Sequence, residues 1–274
     1  MLCPYCRRLI NRREVNCPYC GMRHPGSWWN NNGLTRAFSD PNQAINLILF
    51  ANVGMFIISL LLSPHDVRHA FRNPFGFLSP SNRSLLVLGS TGTYPILHLH
   101  RLWSLLSANY LHGGLLHIIF NMIALRQIGP LVIQEYGVYR MLTIYTLGGV
   151  GGYLISFLAG ISFTIGASAA VCALIGAMLY YGKSRGGAYG QNITSQLGRW
   201  ALSIFVFGLM VPGINNWGHG GGMATGALLA YLLGYREMAR ETMRDRFLGL
   251  GCVMATALVL LMAVGRALLG FLLA

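Results

Sequence analysis

Apolar residues run along this chain in blocks of about twenty, without the every-second-residue alternation of a half-buried strand. The blocks fall at approximately 44–63, 113–133, 141–162, 167–182, 198–214, 219–235 and 248–271. A hydrocarbon layer of roughly 30 Å takes about 20 such residues per helix, and unpaired backbone groups are too costly in lipid for open strands. The pattern therefore predicts an all-α, multi-pass membrane protein of six or seven spans. The fourth to sixth blocks are short or broken by glycine, so their ends are softly defined. Composition agrees, since 54% of residues are hydrophobic and 10% charged, against about 25% charged in soluble domains. Glycine fits close helix packing, with Gly148, Gly149, Gly151 and Gly152 in one span and Gly222 and Gly226 as a GxxxG pair in another.

The net charge of +13 would suggest nucleic acid if the basic residues were clustered on a soluble face. They lie instead at span ends, so no nucleic-acid partner is expected. Arg7, Arg8, Arg12, Arg13, Arg23 and Arg36 precede the first span; Arg126 and Arg140 flank the second connection, Lys183, Arg185 and Arg199 the fourth, and Arg236, Arg240, Arg244 and Arg246 fill the sixth. The third and fifth connections carry no charge. The positive-inside bias then expects a cytoplasmic N-terminus and, with seven spans, an extracytoplasmic C-terminus. Arg68, Arg72, Arg83 and Arg101 in the first connection run against it, but long connections obey the bias least. No secretory signal peptide is visible, and a bacterial plasma membrane is the expected location.

The first twenty residues carry two CPYC knuckles, Cys3–Cys6 and Cys17–Cys20, ten residues apart. Four thiolates so spaced can surround one tetrahedral zinc. A redox pair is the second reading, though the βαβ unit it needs does not fit here, and disulfides come last in a cytosolic head. We expect a zinc-ribbon-like module over 1–24 whose zinc is structural, because four thiolates close the coordination shell, with His24 a spare neighbour. Residues 25–43 read as a linker in which Trp28 and Trp29 prefer a membrane interface. Cys172 and Cys252 read as packing residues within spans.

Polar side chains at membrane depth invite a functional reading. Here they are His112, His117 and Asn121 at the start of the second span, Ser168 at the start of the fourth and His219 at the start of the sixth. His117 and Asn121, four apart, share a helix face. A serine becomes a nucleophile only beside a base. No acidic residue occurs between Glu135 and Glu237, so the helices bearing Ser168 and His219 supply no third member, and a Ser–His dyad is the economical arrangement. With the N-terminus inside, spans two, four and six all begin outside, which brings these groups to similar depth. Singly, a serine among small residues is more often packing glue and a histidine an interface residue; the combination is what points to chemistry.

The set HGGLLHIIFN, GASA and HGGGMATG, in that order on spans two, four and six, resembles the rhomboid family of intramembrane serine proteases. The resemblance covers roughly 44–235 and implies a six-helix catalytic core, followed by a basic cytoplasmic connection at 236–247 and an additional C-terminal helix at 248–274. It implies that Ser168 is the nucleophile, that His219 is the base, and that His117 and Asn121 meet the oxyanion together with the Ser168 amide, with His112 supporting them. No cofactor is implied for catalysis. Ala169, Cys172 and Ser104 stand where the family commonly has a glycine, an aromatic and an arginine. The implied substrates are single-span or other transmembrane proteins reached through the bilayer, cut in or beside the membrane segment, and the head is left free for a cytosolic partner. An inactive relative that retains the fold to bind transmembrane clients is the alternative. HExxH and GxGD motifs are lacking, which argues against metallo- and aspartyl-type intramembrane proteases, and the spans show no paired broken helices or buried charge of the kind transport uses.

Overall fold

The computed structural model describes residues 1–3, 8–27, 41–63, 78–237 and 240–272. Cys6, Arg7, Trp28, Trp29, Arg36, Arg68 and Arg72 lie outside the described residues. The chain divides into two units, Met1–Ile48 and Leu49–Ala274.

In the first unit two short antiparallel bridges, Leu2 with Leu9 and Asn16 with Arg23, fold each cysteine knuckle back on itself. The Cys3 amide donates to Arg8 O at 3.0 Å and the Cys17 amide to Met22 O at 2.8 Å. Beside these bridges Cys3, Ile10 and Cys17 are buried against one another, while Leu2 and Leu9 are exposed.

Nine α-helices occur among the described residues: α1 Pro41–Leu61, α2 Asn82–Leu88, α3 Ser104–Ser107, α4 Leu115–Tyr136, α5 Val138–Leu158, α6 Ser168–Arg185, α7 Gly187–Met210, α8 Asn216–Leu233 and α9 Met243–Leu272. No extended strand is present among those residues. Five helices (α1, α4, α5, α7 and α9) are long and apolar enough to cross a membrane. The expected spans carrying Ser168 and His219, now α6 and α8, are not among them; α8 begins with the polar, glycine-rich run NWGHGGG, and for α6 packing supplies the reason. Every residue from Ala169 to Met178 of α6 is buried, so protein rather than lipid surrounds it and its composition need not match hydrocarbon.

The small residues decide how close α6 and α8 come. A Cβ built on Gly222 would collide with the Ala169 carbonyl oxygen, one on Gly226 with that of Ala173, and one on Gly176 with that of Met223. Backbone thus lies on backbone along the whole crossing, as small-residue interfaces in membranes allow. On the other side of α8, a Cβ at Gly152 of α5 would lie 2.8 Å from Gly218 O.

The fifth expected span, 198–214, begins eleven residues earlier, at Gly187. Its polar first turns, GAYGQNITSQL, read as a connection in the sequence, yet Gly190, Ile193 and Leu197 point inward at helical spacing and are buried. Only Gly186, at φ +66°, separates α6 from α7, and Gly190 lies directly against Gly182 O.

The first connection is structured through small hydroxyls. Ser104 Oγ donates to Thr91 Oγ1 at 3.0 Å, Ser107 Oγ to Gly89 O at 2.7 Å, and Arg101 Nη1 to Leu86 O at 2.7 Å. Thr91 in turn exchanges two backbone bonds with Thr164, at 3.0 and 2.7 Å. The connection is thereby tied to the loop that delivers Ser168.

Candidate active site

Ser168 is the first residue of α6, and the first bond of that helix's ladder runs from Val171 N–H to Ala167 O. The amides of the first turn therefore point out of the helix end beside the hydroxyl, where the helix dipole favours negative charge. His219 stands in the first turn of α8. Asn215 caps that helix, its Oδ1 accepting from Gly218 N–H at 2.9 Å while its Nδ2 donates to Ser156 Oγ at 2.6 Å and to Thr164 Oγ1 at 3.0 Å. One side chain thus joins α8, α5 and the loop before Ser168.

Across the close α6–α8 crossing, His219 Nε2 lies 2.9 Å from Ser168 Oγ. His219 is 9% exposed, and its Nδ1 is buried with no hydrogen-bond partner among the described residues. Among the described residues no carboxylate bonds this imidazole; helix packing and the Asn215 cap hold its backbone.

His117, on the first turn of α4, approaches from the other side. A side chain at Gly166 would sit 2.8 Å from His117 Nε2 and 3.5 Å from Ser168 Oγ, and Gly166 has φ +127°. Only glycine suits both that conformation and the gap between imidazole and hydroxyl. His117 Nδ1 accepts from the Gly113 amide at 3.3 Å, which leaves Nε2 as the protonated nitrogen able to donate. His112, in the loop before α4, is fully buried and stands edge-on to His117 with ring centroids 5.0 Å apart; neither of its nitrogens has a partner among the described residues.

Asn121 lies one turn along α4 from His117. Its Nδ2 donates to His117 O at 3.0 Å, one turn back on its own helix. The structure therefore gathers Ser168, His219 and His117 with His112 behind them, while one Asn121 donor is engaged locally. Sequence reasoning missed Asn215 and Tyr153. The first was signalled by its place just ahead of a helix start; Tyr153, whose hydroxyl donates to Gly166 O, carried no signal beyond being a polar-tipped ring in a span.

In the head, the sulfurs of Cys3, Cys17 and Cys20 all lie within 4.8 Å of one another, and Cys3 Sγ is 3.7 Å from Cys20 Sγ. Four sulfurs at about 2.3 Å from a tetrahedral zinc stand about 3.8 Å apart, so the three described thiols fit such a shell. Burial pushes the Cys17 thiol up, but hydrogen bonds from the Tyr19 and Cys20 amides and the neighbouring Cys20 and Cys3 thiols outweigh it and bring it to about 7. His24 is not part of the cluster.

Residues 99–236 match the Rhomboid domain. RHOMBOID-like protein 4 of Arabidopsis thaliana is 31% identical over 205 residues, covering 69% of this chain and 52% of that protein. RHOMBOID-like protein 6, mitochondrial, of the same plant is 32% identical over 209 residues, 68% of this chain and 67% of its own length. Rhomboid protease GluP of Bacillus subtilis is 35% identical over 132 residues, 48% of this chain and 26% of that protein. The chain spans about half the length of RHOMBOID-like protein 4 and of several other plant relatives, and with relatives in both a plant and a bacterium kinship does not select the bacterial membrane. The matched segment begins just ahead of α3 and ends just past α8, enclosing every residue of the Ser168 site, and the chain belongs to the rhomboid family.

Proposed function

We propose that this protein is an intramembrane serine endopeptidase that uses Ser168 and His219 as a dyad to cut membrane-anchored proteins in or beside a transmembrane segment. The observation that carries the reading is the 2.9 Å approach of His219 Nε2 to Ser168 Oγ across two glycine-packed helices. His219 takes the Ser168 proton as Oγ attacks the scissile carbonyl carbon; the tetrahedral oxyanion forms over the first turn of α6. Collapse breaks the C–N bond, His219 gives its proton to the leaving amine, and water then hydrolyses the ester with His219 as base. First-turn amides of α6 and His117 Nε2–H are the oxyanion donors, with Asn121 supplying its remaining N–H and His112 backing the His117 ring. A helical substrate hides its carbonyls, so it unwinds locally before attack. The bilayer delivers it sideways to a site whose mouth faces the extracytoplasmic side, with the N-terminus inside.

Purified protein in proteoliposomes with a single-span reporter tests this directly. Wild type should release fragments whose new ends, by mass spectrometry, map to the reporter's membrane boundary, and Ser168→Ala should release none. Equal cleavage by both would reject the reading, and tight reporter binding without cleavage would favour the client-binding alternative. His117→Ala should lower kcat about 100- to 1000-fold, the usual loss for one oxyanion donor of about 2.7–4 kcal/mol; a change below fivefold would remove His117 from that role.

The head, as a separate module over 1–24 joined by the 25–43 linker, holds one zinc through Cys3, Cys6, Cys17 and Cys20. The metal supplies folding free energy to a segment too short for a core, and the module then presents a surface to a cytosolic partner. Metal analysis of the purified chain should give close to one zinc per protein, lost in the Cys3→Ser, Cys17→Ser double variant. Unchanged metal content would exclude thiolate coordination here.

A further inference from the structure

The turn that delivers Ser168 has a weak joint, and Tyr153 of α5 sits on it. Gly166, two residues ahead of the nucleophile, adopts φ +127°, and glycine resists torsion less than any other residue. It lies outside α6, so no helical ladder bond restrains it. Two bonds from elsewhere do. Its N–H donates to Ala108 O at 2.9 Å, and its carbonyl accepts from the Tyr153 hydroxyl. Tyr153 is 2% exposed, its ring packed with Ala108 and Ala169 and bordered by Leu105, so the hydroxyl is presented by a fixed ring.

From this geometry we infer that Tyr153 is a positioning residue for the nucleophile turn: by holding the Gly166 carbonyl it fixes the peptide plane from which Ala167 and Ser168 continue, and so aims the Ser168 hydroxyl and the first-turn amides. Rotation of that peptide would swing the amides off the oxyanion position without disturbing substrate contacts farther along the membrane. Gly166 also borders His117 Nε2, so the same movement would close or widen the gap between imidazole and hydroxyl. The inference rests on the assignment of Ser168 as nucleophile.

Tyr153→Phe keeps the packed ring and removes only the donor. In proteoliposomes with the single-span reporter, and with active sites titrated by a fluorophosphonate that labels Ser168, kcat per titrated site should fall about 10- to 100-fold while KM stays within about twofold. The labelling rate should fall in parallel. An unchanged kcat per site, or a rise in KM that accounts for the whole loss, would overturn the inference. The two readings fail separately: an active Ser168→Ala sinks the assignment of the nucleophile, whereas an inactive Ser168→Ala beside a fully active Tyr153→Phe sinks only the role of Tyr153.

Discussion

Ser168→Ala and His219→Ala should each lower reporter cleavage by about 10⁴-fold or more, and the double variant should be no worse than the poorer single. Serine and base act as one unit, because the hydroxyl attacks only as the imidazole takes its proton; once either is gone the other has nothing left to do, and the losses do not add. The geometry sharpens the expectation. His219 Nε2 faces the hydroxyl at 2.9 Å, and its Nδ1 meets no carboxylate among the described residues. In a triad an acid fixes the tautomer; here nothing bonded to Nδ1 does so, and the base is aimed by Asn215, Gly218 and the close seat of Gly222 on Ala169 O. The cycle is read from initial rates of the four proteins on one reporter, per folded molecule. Losses that multiply in the double variant would mean that the two groups serve different steps, and the dyad would be wrong.

Much of this arrangement was legible before any coordinates. Uninterrupted apolar blocks marked the long helices because lipid leaves the backbone no other partner, and the order of HGGLLHIIFN, GASA and HGGGMATG placed Ser168, His219 and His117 on helix starts that the fold brings together. What was hidden depends on contacts between distant segments. The first turns of α7 look like a connection by composition, and only burial of Ile193 and Leu197 shows why they are helical. Asn121 has the right spacing, yet whether its amide faces the site or the turn behind it is a rotamer choice that spacing does not encode. Ser104 stands where an arginine was expected, and its hydroxyl bond to Thr91 joins segments thirteen residues apart, a contact that motif spacing does not encode. The start of α5 was hidden in the same way, since Arg140 looked like a topological marker and turns out to be 2% exposed.

That burial sets the last expectation: Arg140→Ala should destabilise the folded protein by about 3–5 kcal/mol, as removal of one partner from a buried ion pair does. Arg140 Nη2 donates to Asp245 Oδ2 and to Arg240 O, at 3.0 and 3.1 Å, and Nη1 donates to Gly234 O at 3.0 Å. One planar guanidinium therefore joins α5, the end of α8, the connection and the start of α9, a fork that an ammonium cannot reproduce. Asp245 is committed as well, accepting from the Thr242 amide at 2.7 Å and hydroxyl at 2.9 Å while Thr242 Oγ1 caps the Asp245 amide, a reciprocal box at the start of α9. Glu241 accepts from the Tyr139 and Arg140 amides at 2.8 and 3.1 Å, closing the start of α5. Alanine at 140 would leave the Asp245 carboxylate buried without its cation and two carbonyls without donors. Unfolding followed in detergent micelles against denaturant should show the loss, with Arg140→Lys intermediate because it keeps the charge and surrenders the fork. An unfolding free energy for Arg140→Ala within about 1 kcal/mol of wild type, extrapolated linearly to zero denaturant, would mean that α9 is held by its apolar stripe alone.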